Sequence, residues 1–342
     1  EFVHMFDSFL PNPCFVDKSL STCGAIADIT ILLSVVAVFF ALSRVYPNWK
    51  ARVALMFSGV FIFELFTSPM WVNPHFGFFA YAHRDVTYVL TLGWTALFLG
   101  VLYLVERYGA SRGERMRFAV SVFLITILGF IAEIALVAGD LREYAPEVKE
   151  RLVGVFLFGV PVEAFYYIPV FSSLVLGFYK YMLMLKERAL IAPVKKGEYF
   201  RNFGIAFVGV FLFELMIEPM VTNAHFPEWS YVYHDISIIM TFGWILLLWL
   251  ATTLVDRFLP QVTQGRRFFL TLVAIAGIAT PLEEWLISHG YRIYSASTQA
   301  DFSGFLTPIT HMPIEVVFAI PLYFALILGF VNYWKITLDN NP

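Results

Sequence analysis

Nine runs of apolar residues, each about 20 residues long, follow one another along the chain and are separated by shorter polar stretches. A helix rises about 1.5 Å per residue, so a run of this length crosses the roughly 30 Å hydrocarbon core of a membrane. Lipid offers the backbone no hydrogen-bonding partners, so such runs must be helical. The pattern therefore predicts nine transmembrane helices, at residues 25–44, 52–70, 85–106, 117–138, 161–184, 203–222, 235–256, 268–288 and 314–334.

Composition supports a membrane protein of the all-α, polytopic class. Hydrophobic residues make up 59% of the chain and charged residues only 14%, whereas soluble domains carry about 25% charged residues. The net charge is −3 and there is no basic tract, which argues against a nucleic-acid partner. The partners that this composition favours are the membrane and a hydrophobic small molecule or lipid, and it leaves the oligomeric state open.

The lysines and arginines predict the orientation of the helices. Of these 23 residues, 17 fall on one side of the nine predicted spans. Cytoplasmic loops are enriched in basic residues, so we expect the N-terminus outside and the C-terminus in the cytoplasm, as in a bacterial inner membrane or its equivalent. Cys14 and Cys23 then both lie outside, either as a disulfide or as two free thiols.

The chain contains an internal repeat with an offset of 150 residues. Residues 61–76 read FIFELFTSPMWVNPHF and residues 211–226 read FLFELMIEPMVTNAHF, and the offset becomes 152 after a two-residue insertion. Each copy holds four helices, so both enter the membrane in the same direction, and we expect an axis along the membrane normal with any site between the copies. The predicted organisation is a tail with the first helix (1–50), repeat 1 (51–200) and repeat 2 (201–342).

Ionisable side chains recur in both copies at or inside the predicted spans. Each costs about 2.5–3.5 kcal/mol to insert into a membrane, so its presence indicates a function or a partner. With the predicted orientation they all lie in the outer half of the membrane. The acids are Glu64, Asp85, Glu133 and Glu163 in repeat 1 and Glu214, Asp235, Glu283 and Glu315 in repeat 2. The other members of this layer are His75, His225, Arg142 and Arg292, and the repeated Trp94 and Trp244 complete the predicted substrate-binding set.

Three roles for this layer are open from the residues alone. The acids can form structural pairs with arginine or histidine, and Asp85 and Asp235 can stabilise helix N-termini. A carboxyl buried among apolar side chains can instead act as a general acid or base. A carboxylate–histidine metal site would use Glu64, His75, Glu214 and His225. However, no predicted helix contains a Glu-x-x-His motif and the chain has no His-Glu-x-x-His motif, so the prediction is no metal and no other cofactor.

The two copies differ in their titratable residues. Repeat 2 has Glu284 where repeat 1 has Ile134, and it has Glu218 where repeat 1 has Ser68. The additional groups suggest that repeat 2 carries more of the chemistry, while drift in loop residues is the alternative. The predicted catalytic residues are Glu214, Glu283, Glu284 and Glu315, with Glu64, Glu133 and Glu163 as their partners in repeat 1.

Three short motifs resemble the membrane-integral lycopene cyclases of bacteria and fungi. They are Pro281-Leu-Glu-Glu284, Pro161-Val-Glu163 and Pro313-Ile-Glu315, and an acidic residue on the preceding helix, Glu133 or Glu283, comes before the last two. The resemblance implies a helical fold of paired units that protonates a polyene without a metal, while aromatic rings shield the carbocation. Only the first of these motifs has both acids, and it lies at the end of a helix.

Three functions are therefore open. The first is an enzyme that acts on a lipid-soluble isoprenoid or carotenoid by carboxylate acid–base chemistry, as a cyclase or hydratase does. The second is a non-catalytic protein that binds or moves a lipid, or that serves as a subunit of a larger membrane complex. The third is a metal-dependent oxidoreductase that uses the Glu and His residues of the outer layer.

Overall fold

The computed structural model describes residues 17–187 and 198–340. Nine helices within these ranges are long and apolar enough to cross a membrane, which confirms the predicted all-α polytopic class. Cys14 is not among the described residues, so its pairing with Cys23 stays a prediction. The nine helices are α1 (Thr22–Val45), α2 (Trp49–Thr67), α3 (Tyr88–Tyr108), α4 (Glu114–Ala138), α5 (Ala164–Glu187), α6 (Tyr199–Ile217), α7 (Ile238–Phe258), α8 (Gln264–Ser288) and α9 (Ile314–Asn340).

The starts of the third and seventh helices differ from the prediction. α3 begins at Tyr88 and α7 at Ile238, whereas the apolar pattern placed the starts at residues 85 and 235. The three residues before each helix belong to a tight β-hairpin, with Asp85 and Asp235 near its turn. The prediction that these aspartates open the helices is therefore wrong, because hydrophobicity alone does not distinguish a short apolar strand from a first helical turn.

The helix contacts follow the sequence repeat. α2, α3, α4 and α5 form a closed ring in which each helix contacts its two neighbours, and α6, α7, α8 and α9 form a second ring of the same kind. The two rings meet mainly where α5 packs along α9, flanked by contacts of α5 with α6 and of α9 with α2. This pattern of contacts is unchanged when the two rings are exchanged, as expected for a pseudo-two-fold arrangement.

Two equivalent glycines allow α5 and α9 to approach closely. A Cβ atom on Gly177 would lie 2.8 Å from Cα of Phe330, and one on Gly329 would lie 2.7 Å from Cα of Phe178. Each of these phenylalanines also packs over a glycine of a neighbouring helix, as the ring of Phe178 does over Gly59. Small residues bring helix backbones together in membranes, where van der Waals packing replaces the hydrophobic effect.

The N-terminal helix α1 lies outside both rings. It packs mainly along α3, where Ile31 lies against Gly93. The backbone before it is held by the loop at residues 75–77, since the amide of Ser21 donates to the carbonyl of His75 (3.2 Å). α1 therefore covers one face of repeat 1. A Cβ atom on the equivalent glycine of repeat 2, Gly243, would have no atom of the described residues within 4 Å.

The loops that join the helices of each ring at one membrane side fold into a compact layer. We call residues 68–87, 139–163, 218–237 and 289–313 the loop layer. It contains short helices at Pro146–Arg151 and Ala296–Ala300 and 3-10 turns at Ser68–Met70, Phe78–Ala80, Glu218–Met220 and Glu228–Ser230. Its antiparallel strand pairs are Trp71–Val72 with Glu143–Tyr144, Val221–Asn223 with Arg292–Tyr294, Tyr81–His83 with Val86–Thr87, Tyr231–Tyr233 with Ile236–Ser237, and Phe156–Leu157 with Val160–Pro161.

The close contact between α5 and α9 predicts the effect of one added methyl group. Gly177→Ala or Gly329→Ala forces the two helices apart, because the new Cβ meets backbone that has no room to move. We expect each variant to lose about 1–3 kcal/mol of stability, measured as a lower melting temperature in detergent. Gly243→Ala, which faces open space, serves as the control and keeps or raises the wild-type melting temperature, because Ala favours a helix more than Gly does. A wild-type value for both interface variants would contradict this packing.

Candidate functional site

Where α8 meets the loop layer, repeat 2 holds a buried cluster of Glu283, Arg292 and Tyr294. Arg292 Nε lies 3.0 Å from Glu283 Oε1, and the Tyr294 hydroxyl donates to the same oxygen over 2.7 Å. The Arg292 Nη1 group donates to Asn223 Oδ1 (2.6 Å), and its guanidinium lies 5.7 Å from the ring centroid of Trp244. Both members of the ion pair are almost fully buried.

Local structure explains how these three side chains meet. α8 ends at Ser288, and Gly290 reverses the chain with a φ of +74°, a value that favours glycine. The strand Arg292–Tyr294 then runs back and pairs with Val221–Asn223. Alternate residues of a strand share a face, so Arg292 and Tyr294 both reach the carboxylate of Glu283 near the end of α8.

The surroundings of Arg292 and Tyr294 determine whether each side chain holds its proton. Burial, the largest single effect, opposes the positive charge of Arg292, but the nearby Glu283 carboxylate together with Tyr294, Tyr323 and Glu214 outweighs it and raises the pKa of Arg292 above its ordinary value. Burial, and then the same carboxylate, raises the pKa of Tyr294 well above its ordinary value, so this phenol keeps its proton. The cluster is therefore an arginine–carboxylate pair with a neutral tyrosine that donates to it.

Repeat 1 has the same cluster in a looser form. Arg142 Nη1 lies 3.4 Å from Glu133 Oε1, and the Tyr144 hydroxyl lies 3.3 Å from Glu133 Oε2. The guanidinium of Arg142 stacks 4.9 Å from the ring centroid of Trp71. The second copy thus has the shorter and better-aligned contacts around its carboxylate.

Each cluster borders a cavity, and the two cavities are lined largely by equivalent residues. The one in repeat 2 has a volume of about 240 Å³, and we call it the open cavity. The one in repeat 1 has a volume of about 50 Å³, and we call it the narrow cavity. Tyr167 lines the narrow cavity where Ala319 lines the open one, and Trp71 likewise corresponds to Val221. Two aromatic rings therefore fill in repeat 1 the space that smaller side chains leave in repeat 2.

The open cavity lies between the repeats. Phe66 and Pro69 come from repeat 1, while Phe213, Phe302 and Tyr323 come from repeat 2. Its polar lining residues are the cluster Glu283, Arg292 and Tyr294, together with His83, Arg84, Asp301 and Glu315. The side-chain oxygens Glu283 Oε2 and Glu315 Oε2 are buried and have no hydrogen-bond partner among the described residues.

Ion pairs join the repeats at two equivalent positions, with opposite polarity. Beside the open cavity, Arg84 of repeat 1 pairs with Asp301 of repeat 2 (2.7 Å), and Ser68 donates to the same aspartate (3.2 Å). At the equivalent position on the other side, Arg151 of repeat 1 pairs with Asp235 (2.7 Å) and with Glu218. Positions 151 and 301 match in the repeat, so one copy supplies the cation and the other the anion.

Glu64 and Glu214 lie within separate rings and do not line the open cavity. The hydroxyl of Thr91 donates to Glu64, and that of Thr241 donates to Glu214. Both acids are nearly fully buried. Glu64 borders the narrow cavity, and Glu214 borders a small cleft beside Asn223 and Arg292. The two acids thus tie α2 to α3 and α6 to α7 in the same way.

The remaining predicted acids have other surroundings. Glu163 Oε1 accepts the amide of Val153 (2.7 Å) and Glu315 Oε1 accepts that of Ser303 (2.6 Å), so both anchor a loop to the start of a helix. Glu284 is half-buried next to Glu283 and does not line the open cavity.

The predicted histidines and tryptophans also lie away from the open cavity. His75 and His225 occupy left-handed turn positions, with φ values of 66° and 62°, and His75 faces Asp17 and Ser19. Trp94 borders the narrow cavity, and Trp244 is buried against Phe324.

The candidate metal ligands do not converge. Within residues 17–187 and 198–340, no group of three or more His, Cys, Asp or Glu side chains is arranged to hold a metal ion. Glu64, His75, Glu214 and His225 each have the separate surroundings described above. The residues of this chain therefore do not fit the four-ligand metal set that the sequence left open.

Sequence reasoning missed the residues that decide the size of the cavities. Ala319 and Val221 carry no titratable group, so a search for ionisable side chains passes over them. A comparison of the copies by side-chain volume would have found the pairs Tyr167/Ala319 and Trp71/Val221, since both follow directly from the repeat alignment.

Asp85, in the loop layer, gives the protein a pH-dependent stability. Burial, and then the charge of Asp301, raises its pKa from 3.8 to about 7, although Lys18 and Arg84 oppose the shift. Between these values the unfolded chain has lost the proton that the folded chain retains, so this group destabilises the fold progressively as the pH rises from about 4 to 7.

We therefore expect Asp85→Asn to raise the melting temperature relative to wild type, with a larger difference at pH 8 than at pH 5. Asp235→Asn serves as the matched variant. It breaks the 2.7 Å pair with Arg151 and is expected to lower the melting temperature at pH 8. A difference between Asp85→Asn and wild type that is the same at both pH values would contradict the role of this carboxyl.

Comparison with known proteins adds no relative to this picture. No family model matches the chain, and neither the curated proteins nor the solved structures give a match. The resemblance to the membrane-integral lycopene cyclases therefore stays an expectation from three short motifs, and the function has to be argued from the geometry of the open cavity.

Proposed function

We propose that this protein is an integral membrane enzyme that acts on a lipid-soluble isoprenoid by carboxylate acid–base chemistry in the open cavity, on the outward-facing side of the membrane. One arrangement carries the proposal. An apolar cavity between the repeats ends at the buried Glu283, whose Oε2 has no partner within the described chain. Apolar pockets with a few convergent polar groups are the usual form of small-molecule sites.

The walls and size of the open cavity suit one end of a long apolar molecule. Phe66, Phe213, Phe302 and Tyr323 line it, and their rings offer dispersion contacts and attraction to a positive charge. Its volume of about 240 Å³ is just below the range of about 300–1,000 Å³ for drug-sized ligands. The end group of an isoprenoid would occupy the cavity while the rest of the chain stays in lipid, past Phe318, which is 63% exposed.

The chemistry that these residues support is the addition of one proton and the removal of another. Glu283 contacts Arg292, so it is the proton acceptor. Glu315 also lines the open cavity, and in this proposal it is the second acid, which supplies the proton. Protonation of one carbon of a double bond forms a carbocation, and loss of a proton from a neighbouring carbon restores a double bond. Atoms and electrons balance without an oxidant or reductant.

A second candidate is a protein that binds a lipid in the same cavity without turnover. It is favoured by Glu315 Oε1, which is already held by the amide of Ser303 and so anchors a loop. In that case the buried polar end recognises a head group, and no bond in the ligand changes.

The proposal predicts that turnover depends on Glu283 and on the empty space beside it. Purified protein in lipid nanodiscs is incubated with the linear polyenes squalene and lycopene, and products are separated by chromatography and identified by mass spectrometry. Glu283→Gln is expected to reduce turnover by about 10²–10⁴-fold, the usual contribution of general acid–base catalysis. Ala319→Tyr, which places in repeat 2 the ring found in repeat 1, is expected to abolish it.

Two control variants alter side chains away from the open cavity. Glu106→Gln removes a carboxylate near the other end of α3, where it accepts a hydrogen bond from Tyr46, and Tyr167→Phe leaves a ring in the narrow cavity. Both should keep wild-type turnover. Full activity in Glu283→Gln would refute the assignment, whereas ligand binding without any product would favour the second candidate.

A further inference from the structure

A second large space lies beside repeat 1, between α1, α3 and α4. We call it the lateral groove, and it has a volume of about 720 Å³. Ligand sites commonly measure about 300–1,000 Å³. The lateral groove and the open cavity have no lining residue in common within the described chain, so they are separate places. The lining is mainly apolar, and its polar side chains are Cys23, Thr30 and Ser34 of α1.

Small residues on α4 keep the lateral groove open. Ala135 and Gly139 line it, and Ala135 is exposed. The equivalent residues of repeat 2 are Trp285 and His289, whose rings stack with their centroids 4.6 Å apart. Bulky rings therefore stand in repeat 2 at positions where repeat 1 leaves a space. The hydrocarbon core of a membrane holds no water, so an apolar chain fills the lateral groove.

The helices α1 and α3, which border the lateral groove, run in the same direction. Near the middle of α1, Ile31 lies against Gly93 of α3. About two turns later, Val38 lies against Gly100. Residue numbers rise together along both helices, so the helices are parallel. Both end at the side of the membrane opposite the loop layer.

An arginine lies at this end of each helix. Arg44 is in the last turn of α1 and Arg107 is in the last turn of α3, and both are exposed. The two helix ends are close together, since the hydroxyl of Tyr46 donates to Glu106 Oε2 over 2.6 Å. That bond engages the neighbouring carboxylate. Within the described chain, the two guanidinium groups contact aromatic side chains of their own helices and pair with no carboxylate.

We propose that the lateral groove binds one acyl chain of an anionic phospholipid from the leaflet opposite the loop layer, with the phosphate group at Arg44 and Arg107. Basic side chains near the membrane surface attract anionic lipids, and arginine side chains at helix ends extend toward that surface. Val38 lines the groove and lies about 9 Å along α1 from Arg44. The head group and the chain of one lipid therefore reach both places.

The other end of the lateral groove carries an acidic side chain instead. Asp140 follows Gly139, which lines the groove, and the side chain of Asp140 is 92% exposed, with His75 Nε2 at 3.9 Å. A carboxylate repels a phosphate group. The phosphate group is therefore better placed at the arginine end, and the acyl chain enters the groove from there.

Native mass spectrometry of the full chain in detergent tests the head group. Phosphatidylglycerol and phosphatidylcholine with identical dipalmitoleoyl chains are titrated, and the dissociation constant of the first bound lipid is compared. We expect phosphatidylglycerol to bind about tenfold more tightly, because two basic residues attract its charge. Arg44→Gln combined with Arg107→Gln should remove this preference. Arg257→Gln removes the equivalent exposed charge from repeat 2, away from the groove, and should keep it.

A second pair of variants tests the acyl chain. Ala135→Trp places in the lateral groove the ring that repeat 2 carries at Trp285, and it should weaken phosphatidylglycerol binding by about tenfold, because the ring takes the space of the chain. Ile131→Trp adds the same ring to α4 at an exposed position that does not line the groove, and it should bind as wild type does.

Equal affinity for the two lipids, or an equal loss in Arg257→Gln and in the double arginine variant, would overturn the inference. Unchanged binding in Ala135→Trp, or displacement of phosphatidylglycerol by the uncharged isoprenoid squalene, would overturn it as well. The inference does not depend on the proposed function, since Ala319→Tyr in the open cavity should leave phosphatidylglycerol binding at the wild-type level.

Discussion

A buried arginine that must remain paired with a carboxylate is the interaction on which the loop layer depends. Arg292 is charged at any physiological pH, and removing one partner of such a buried pair costs about 3–5 kcal/mol. The pair with Glu283 therefore fixes the strand Arg292–Tyr294 against the end of α8. Asn223 and Trp244 hold the same guanidinium from two other elements. The polar wall of the open cavity is thus a rigid part of the scaffold.

The duplication lets the chain keep this scaffold twice, with the open cavity beside the cluster of repeat 2 and the narrow cavity beside the cluster of repeat 1. In repeat 1, Tyr167 and Trp71 occupy the space beside the cluster, and Arg142 stacks on the tryptophan. In repeat 2, Ala319 and Val221 leave it free. The pairs Arg84–Asp301 and Arg151–Asp235 have opposite polarity. The two equivalent contact positions between the repeats therefore differ in charge, although the helix contacts there remain equivalent.

The sequence predicts the helices and the repeat well, because both follow from patterns that are local or self-similar. Nine apolar runs and an offset of 150 need no knowledge of distant contacts. Only part of the Glu283–Arg292–Tyr294 cluster can be predicted from the sequence. Glu283 and Arg292 are visible as costly charges, but their pairing depends on the turn at Gly290 and on a strand register that hydrophobicity does not encode. Tyr294 and Ala319 are ordinary residues whose roles come from what lies opposite them, which only the packed structure supplies.

Comparison of the two copies also separates scaffold from site among the buried acids. Glu64 and Glu214 each accept a hydrogen bond from a threonine of the neighbouring helix, although repeat 1 has a narrow cavity and repeat 2 an open one. A contact that is the same in both copies does not depend on the ligand-sized space, so it belongs to the scaffold. Glu283 differs from its counterpart, because its Oε2 is unpaired whereas both oxygens of Glu133 contact Arg142 or Tyr144. Glu163 and Glu315 hold a loop amide in the same way, and they differ in that Glu315 lines the open cavity. An acid buried within the membrane is costly whatever its role. An acid whose surroundings differ between the two copies is the better candidate for a function.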